Sequence, residues 1–136
     1  MPKAKPTPKA ADTQTAVFSE AVTYFKHCQY AKAEPLFLSA AAVNPRAMYF
    51  LGEIYSQGTK PQWPDKTKGA AWYEKGAQAG DLLCQFNLVQ IQDLPPKTLQ
   101  KKLRSLFPGM AKLAQKGDIF AAYELGCLFL YNWEEN

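Results

Sequence analysis

The side chains with the most reactive chemistry are one histidine and three cysteines. His27 adjoins Cys28 near the expected end of a first helix. A thiolate beside an imidazole makes a nucleophile, but neighbouring helical positions point about 100° apart, so the pair is poorly arranged as a dyad. His27 reads as a surface histidine at a helix C-terminus. Cys28, Cys84 and Cys127 are odd in number and lack CxxC spacing, which suits reduced, packed thiols better than a disulfide framework or a zinc site. The sequence holds no phosphate-cradling glycine loop, no HExxH, no GxSxG and no metal-ligand cluster, and Glu134 and Glu135 read as solvated tail. The expectation is a non-enzyme with no catalytic residue, no metal and no cofactor.

Binding chemistry is better represented. Lys97, Lys101, Lys102, Arg104, Lys112 and Lys116 meet no acidic residue between positions 97 and 116, which makes either a solvated face or a surface for an acidic partner. Trp63 stands between Pro61 and Pro64 in a loop longer than a simple helix turn, either folded back on its hairpin or exposed as an anchor. Trp72 and Tyr73 read first as packing residues. The candidate partner contacts are Tyr24, Gln57, Trp63, Lys68, Lys101, Arg104 and Lys112, amphipathic or charged residues on faces that packing need not consume.

Those residues need a scaffold, and 136 residues allow one domain that buries roughly two thirds of its unfolded surface. At 47% hydrophobic and 21% charged, the composition excludes wholesale disorder. The longest apolar runs are broken by Glu53, Gly69 or Glu124, so none spans a bilayer. MPKAKPTPKAADTQT has no apolar stretch after its lysines, so no secretory signal is expected and the reading is cytoplasmic. Residues 1–14, rich in Lys and Pro, read as a disordered tail. The net charge is +4, of which that tail carries +2, so the remaining domain gives nucleic acid little electrostatic purchase.

Shifting the sequence by 37 residues reveals an internal repeat. Ala47, Leu51 and Gly52 fall on Cys84, Leu88 and Val89, then on Ala121, Leu125 and Gly126. Tyr55 lands on Gln92 and Phe129, and Trp72–Asp81 falls on Gly109–Asp118, keeping a lysine, an alanine, a glutamine and Gly-Asp. Each unit reads as two helices, the second ending at a glycine suited to a left-handed cap. Ala47 and Gly52 would let helices approach closely, while Leu51, Tyr55, Trp72 and Tyr73 fill the gaps.

The segment before residue 46 has Ala21, Tyr24, Tyr30, Ala33, Phe37, Ala40 and Pro45 in an order that resembles the tetratricopeptide repeat. Pro35 is expected in the first turn or two of its helix, where it costs little. LGEIYSQGTKPQWPDKTKGAAWYEKGAQAGD resembles the Sel-one-like repeat through Leu51-Gly52, Tyr55, Gly58, Asp65, Lys68, Trp72-Tyr73, Lys75, Ala77 and Gly80-Asp81. The resemblance covers residues 17–132 and implies an all-α fold, a short right-handed superhelix of antiparallel hairpins. Its units would be a tetratricopeptide-like hairpin at 15–45, repeats at 46–80 and 81–117, and a terminal helix at 118–136. Pro95, Pro96, Pro108 and Gly109 depart from the pattern, so a short helix near 97–106 is expected to break before 109–116. Gly69 and Gly76 replace alanines and should weaken their helix by up to about 1 kcal/mol each if exposed. The last unit would leave an apolar edge of Phe120, Tyr123, Phe129, Leu130 and Trp133.

The expected function is a non-catalytic adaptor that holds a protein or peptide on the concave face of the repeats. Two narrower or competing forms remain open. One is an immunity protein or chaperone for a secreted toxin or effector. The other is a homo-oligomer joined through Phe129 and Trp133, or a nucleic-acid module acting through residues 97–116.

Overall fold

A computed structural model of the chain describes residues 10–58 and 63–131. Among these residues the fold is all-α: α1 (Ala10–Lys26), α2 (Tyr30–Ala40), α3 (Pro45–Gln57), α4 (Lys66–Gln78), α5 (Leu82–Ile91), α6 (Pro96–Gln115) and α7 (Ile119–Tyr131). Each helix packs on the next, and α3 also meets α5.

The 37-residue period reappears as a repeated start signal. Asn44, Asp81 and Asp118 stand 37 residues apart, and each directly precedes α3, α5 or α7. Their side chains accept first-turn amides: Arg46 N to Asn44 at 3.0 Å, Cys84 N to Asp81 at 3.0 Å, and Phe120 N and Ala121 N to Asp118 at 3.1 Å. The stop signal repeats too. Gly80 and Gly117 take left-handed φ values of 95° and 97°, and the following Asp81 and Asp118 amides reach back to Gly76 O and Leu113 O at 2.9 and 3.0 Å.

Between α1 and α2 the same stop is built on Cys28, at φ 59°, with the Gln29 amide reaching back to Tyr24 O at 2.9 Å. A Cβ in that conformation costs about 1 kcal/mol, so Cys28→Gly is expected to stabilise the domain by about that much, read as a shifted urea midpoint at unchanged m-value. An unchanged or lower midpoint would show that the thiol's own contacts outweigh the strain. Cys28 also departs from the expectation of three packed thiols, because it is exposed while Cys84 is buried.

Small residues set the helix spacing. A methyl group at Gly52 would stand 2.5 Å from the Tyr73 ring, one at Gly69 would meet Ser56 Oγ, and one at Gly76 would meet Cys84 Sγ. Gly69 and Gly76 are therefore buried contact points rather than exposed helix weaknesses, and the expected penalty is replaced by close packing. Ala47, Cys84 and Ala121, the repeat's equivalent small positions, are all fully buried.

Several expectations are corrected. α6 runs unbroken through Pro108 and Gly109. Pro108 is exposed, Leu103 and Met110 are buried on either side of it, and Gly109 admits the Leu82 side chain, so packing holds together a helix that a proline weakens by about 3 kcal/mol. Pro35 is the sixth residue of α2, beyond its first turn, and also faces solvent. α1 begins at Ala10, inside the stretch read as tail, while residues 1–9 lie outside the described residues.

The core is aromatic and centred on Phe50. Its ring stacks on Phe37 at 4.7 Å and meets Phe25 at 4.9 Å and Phe120 at 4.7 Å, edge to face in the last two cases. Phe120 therefore belongs to the interior rather than to an open edge. Its ring brings the start of α7 against Phe25 of α1 and against Tyr49 and Phe50 of α3.

Candidate functional site

One cleft of about 400 Å³ remains beside this aromatic hub. Tyr49 and Glu53 of α3 form its buried floor, and half-buried Phe25, Tyr30 and Phe120 form its walls. Exposed Lys26, Cys28, Gln57, Ile119 and Tyr123 complete its mouth. Helical spacing explains the floor, since Tyr49, Glu53 and Gln57 recur every fourth residue along one stripe of α3.

Two buried carboxylates govern the electrostatics. Glu53 accepts the Tyr73 hydroxyl on Oε1 at 2.6 Å and the Gln57 amide on Oε2 at 2.9 Å. Glu124 of α7 accepts the Tyr49 hydroxyl at 2.6 Å. Burial, reinforced by the charge of Glu124, pushes Glu53 up to about 7, although the Tyr73 and Gln57 bonds oppose the shift. Burial likewise raises Glu124, against its bonds from Tyr49 and Asn87. The hydroxyls of Tyr49 and Tyr73 are held far above their ordinary range, by burial first and then by the two carboxylates. At the mouth, Tyr30 is raised by its bond to the Cys28 thiol, and Tyr123 rises to about 12 through its bond to Cys127.

Of the seven partner contacts expected from sequence, only Gln57 reaches this cleft. Tyr24 is half-buried, with Lys32 Nζ 5.7 Å from its ring centroid. Lys68 Nζ sits 4.2 Å from the Tyr55 ring centroid, and the Tyr55 hydroxyl donates to Glu34 at 2.5 Å. Trp63 is 89% exposed, so its ring does not fold back on the hairpin. Lys101, Arg104 and Lys112 lie exposed on α6, away from the cleft. Phe129 is 52% exposed, with its ring 6.1 Å from that of Phe107, and Trp133 lies outside the described residues. His27 is exposed, its Nδ1 2.8 Å from Thr23 O at the end of α1.

The carboxylates themselves were overlooked, having entered the sequence reading only as interruptions of apolar runs. The available signal was an acid on the stripe that the flanking aromatics mark as buried: Tyr49 four residues before Glu53, and Phe120 four before Glu124.

A second feature ties the units together. Arg46, in the first turn of α3, donates through Nε to Asp81 Oδ1 and through Nη1 to Asp118 Oδ2, both at 2.8 Å. One guanidinium thus gathers the starts of α3, α5 and α7. Burial alone would raise Asp118, but Arg46 and the Ala121 and Phe120 amides hold it below its ordinary range.

The described residues form an all-helical fold with an acid-floored aromatic cleft. Compared with known proteins, the chain matches no family model, and no characterised protein or solved structure is significantly similar to it. Among the described residues no group of histidines, cysteines and acids could hold a metal ion, and no helix is long and apolar enough to cross a membrane.

Proposed function

We propose that this chain is a non-catalytic binding scaffold, a short superhelix of Sel-one-like hairpins that receives a protein or peptide segment at the cleft between the α1–α2 turn, α3 and α7. The repeated caps at Asn44, Asp81 and Asp118 and the paired glycine stops support the repeat reading. The observation that carries the binding reading is the cleft itself: it lies beside the aromatic hub, and exposed Ile119 and Tyr123 extend its apolar wall outward. Catalysis is disfavoured because Glu124 does not line the cleft, which leaves Glu53 without a second acid or an activated nucleophile beside it.

The test is affinity purification of the tagged chain from its own cells, with the complex sized by light scattering. A stoichiometric partner is expected, lost with Ile119→Asp and Tyr123→Asp and retained with Leu38→Asp on the exposed side of α2. Equal retention by all three variants would overturn the placement.

Self-association through α7 is a second reading with its own observation. Gly126 is the repeat equivalent of Gly52, yet a methyl group there would meet nothing within 4 Å, so the packing that Tyr73 gives Gly52 has no counterpart among the described residues. A concentration-dependent dimer abolished by Phe129→Asp would favour it.

A further inference from the structure

We propose that the cleft receives one basic side chain, an arginine or lysine of the partner polypeptide, with Glu53 as counter-ion and the rings of Phe25, Tyr30, Phe120 and Tyr123 enclosing its stem. This rests on the binding reading above and gives it a chemistry.

Four observations converge on a cation. The donors that hold Glu53 are neutral, a phenol and an amide, and each carboxylate oxygen has a second lone pair for a guest. The strongest charge acting on Glu53 is a second carboxylate, Glu124, which does not itself line the cleft, and the one cation in the lining, Lys26, stands at the mouth rather than on Glu53. The walls are aromatic faces and edges, which attract alkylammonium and guanidinium groups and shelter their methylenes. This fold already seats lysines over rings at the surface, Lys68 over Tyr55 at 4.2 Å and Lys75 over Trp72 at 4.8 Å. The volume of about 400 Å³ leaves room for a long side chain and its water.

The guest and the proton compete for Glu53. The groups that face Glu53 are Tyr49 on its own helix, Tyr73 from α4, Tyr30 from α2, Cys84 from α5, and Glu124 and Tyr123 from α7. Lys26 and Cys28 stand at the mouth. Of these, Glu53 is the group poised near 7, so entry of a cation expels its proton and affinity rises between pH 6 and pH 8.

The full chain, isotopically labelled, is titrated by NMR with an acetylated and amidated Gly-Gly-Arg-Gly-Gly pentapeptide, its lysine counterpart, and citrulline and norleucine controls. The basic peptides are expected to shift the Phe25, Phe120 and Tyr123 ring signals, and the controls to bind at least about fivefold more weakly. Glu53→Gln should cut the affinity for the arginine peptide about fivefold or more and abolish its rise with pH. Lys26→Gln, which removes a like charge at the mouth, should raise it about twofold. Citrulline binding as well as arginine, Glu53→Gln binding arginine undiminished, or no ring shift with either basic peptide would each overturn the proposal. Failure here stays distinct from failure of the binding reading: a captured partner that survives Glu53→Gln but is lost with Ile119→Asp keeps the scaffold and removes the cation pocket.

Discussion

Between pH 5 and pH 8 the domain is expected to lose about 3 kcal/mol of stability, and Glu53→Gln to abolish most of that loss. Glu53 has a folded pKa of about 7 against 4.5 as an ordinary glutamate, because burial and the neighbouring Glu124 charge disfavour its ionised form. Below pH 4.5 the carboxyl is protonated in both states and contributes nothing to the pH slope. Between 4.5 and 7 the folded state binds a proton that the unfolded state has released, so stability falls as pH rises, by about 1.4 kcal/mol per unit of pKa difference. Above 7 the loss is complete and the curve flattens. Glu124 is raised as well and adds to the decline in the same direction. Asp118 acts oppositely: its lowered pKa contributes stability that is lost only in acid, as pH falls through its folded value. Together these place maximal stability below pH 5, between the acid loss of Asp118 and the onset of the Glu53 decline near 4.5. Glutamine at position 53 keeps an acceptor for the Tyr73 hydroxyl and carries no charge to desolvate. Urea unfolding from pH 4.5 to 8.5 should show the variant about as stable as the native chain at pH 5 and about 1–3 kcal/mol more stable at pH 8. Parallel pH profiles for the two chains would refute the assignment.

The same residue shows what sequence could and could not deliver. The 37-residue shift located the starts of α3, α5 and α7, because start and stop signals are local: an acceptor before the first turn and a glycine after the last. Close helix contacts at Gly52, and small residues at positions 47, 84 and 121, were legible for a similar reason, since spacing along one helix sets which face is small. Pro108 misled because its local cost is real and is offset by contacts on either side that no window of sequence displays. The cleft was invisible in a different way. Glu53 and Glu124 stand 71 positions apart in the chain, and what raises Glu53 is its burial in the packed fold together with the charge of Glu124. Tyr24 and Lys68 each make a local cation–ring contact, with Lys32 and with Tyr55, that spacing in the sequence does not display. Arg46 escaped because it occupies a position the repeat does not repeat: its equivalents are Leu83 and Phe120.

Arg46→Ala is expected to cost about 2–4 kcal/mol and to loosen α7 first. The guanidinium is a planar fork, and here its two prongs bind different acids, Asp81 and Asp118, each 2.8 Å away and both largely withdrawn from water. Alanine leaves two carboxylates facing each other at the starts of α5 and α7. The helix amides still hold them, through Cys84 N on Asp81 and Phe120 N and Ala121 N on Asp118, so the caps survive while the repulsion between them does not disappear. The cost is therefore mainly uncompensated charge. Two further variants separate that from lost packing. Arg46→Lys supplies a point charge that reaches one acid at a time and should recover less than half the loss. The triple variant Arg46→Ala, Asp81→Asn, Asp118→Asn removes the repulsion and keeps the amide acceptors, and should recover more than Arg46→Lys does. Hydrogen exchange should report the order of release: amides of α7 lose protection in Arg46→Ala while those of α2 and α3 keep theirs, because Phe37 and Phe50 remain stacked whether or not α7 is tied down. An Arg46→Ala cost below about 1 kcal/mol, or uniform loss of protection across all helices, would show that the aromatic hub alone carries the joint between α3 and α7.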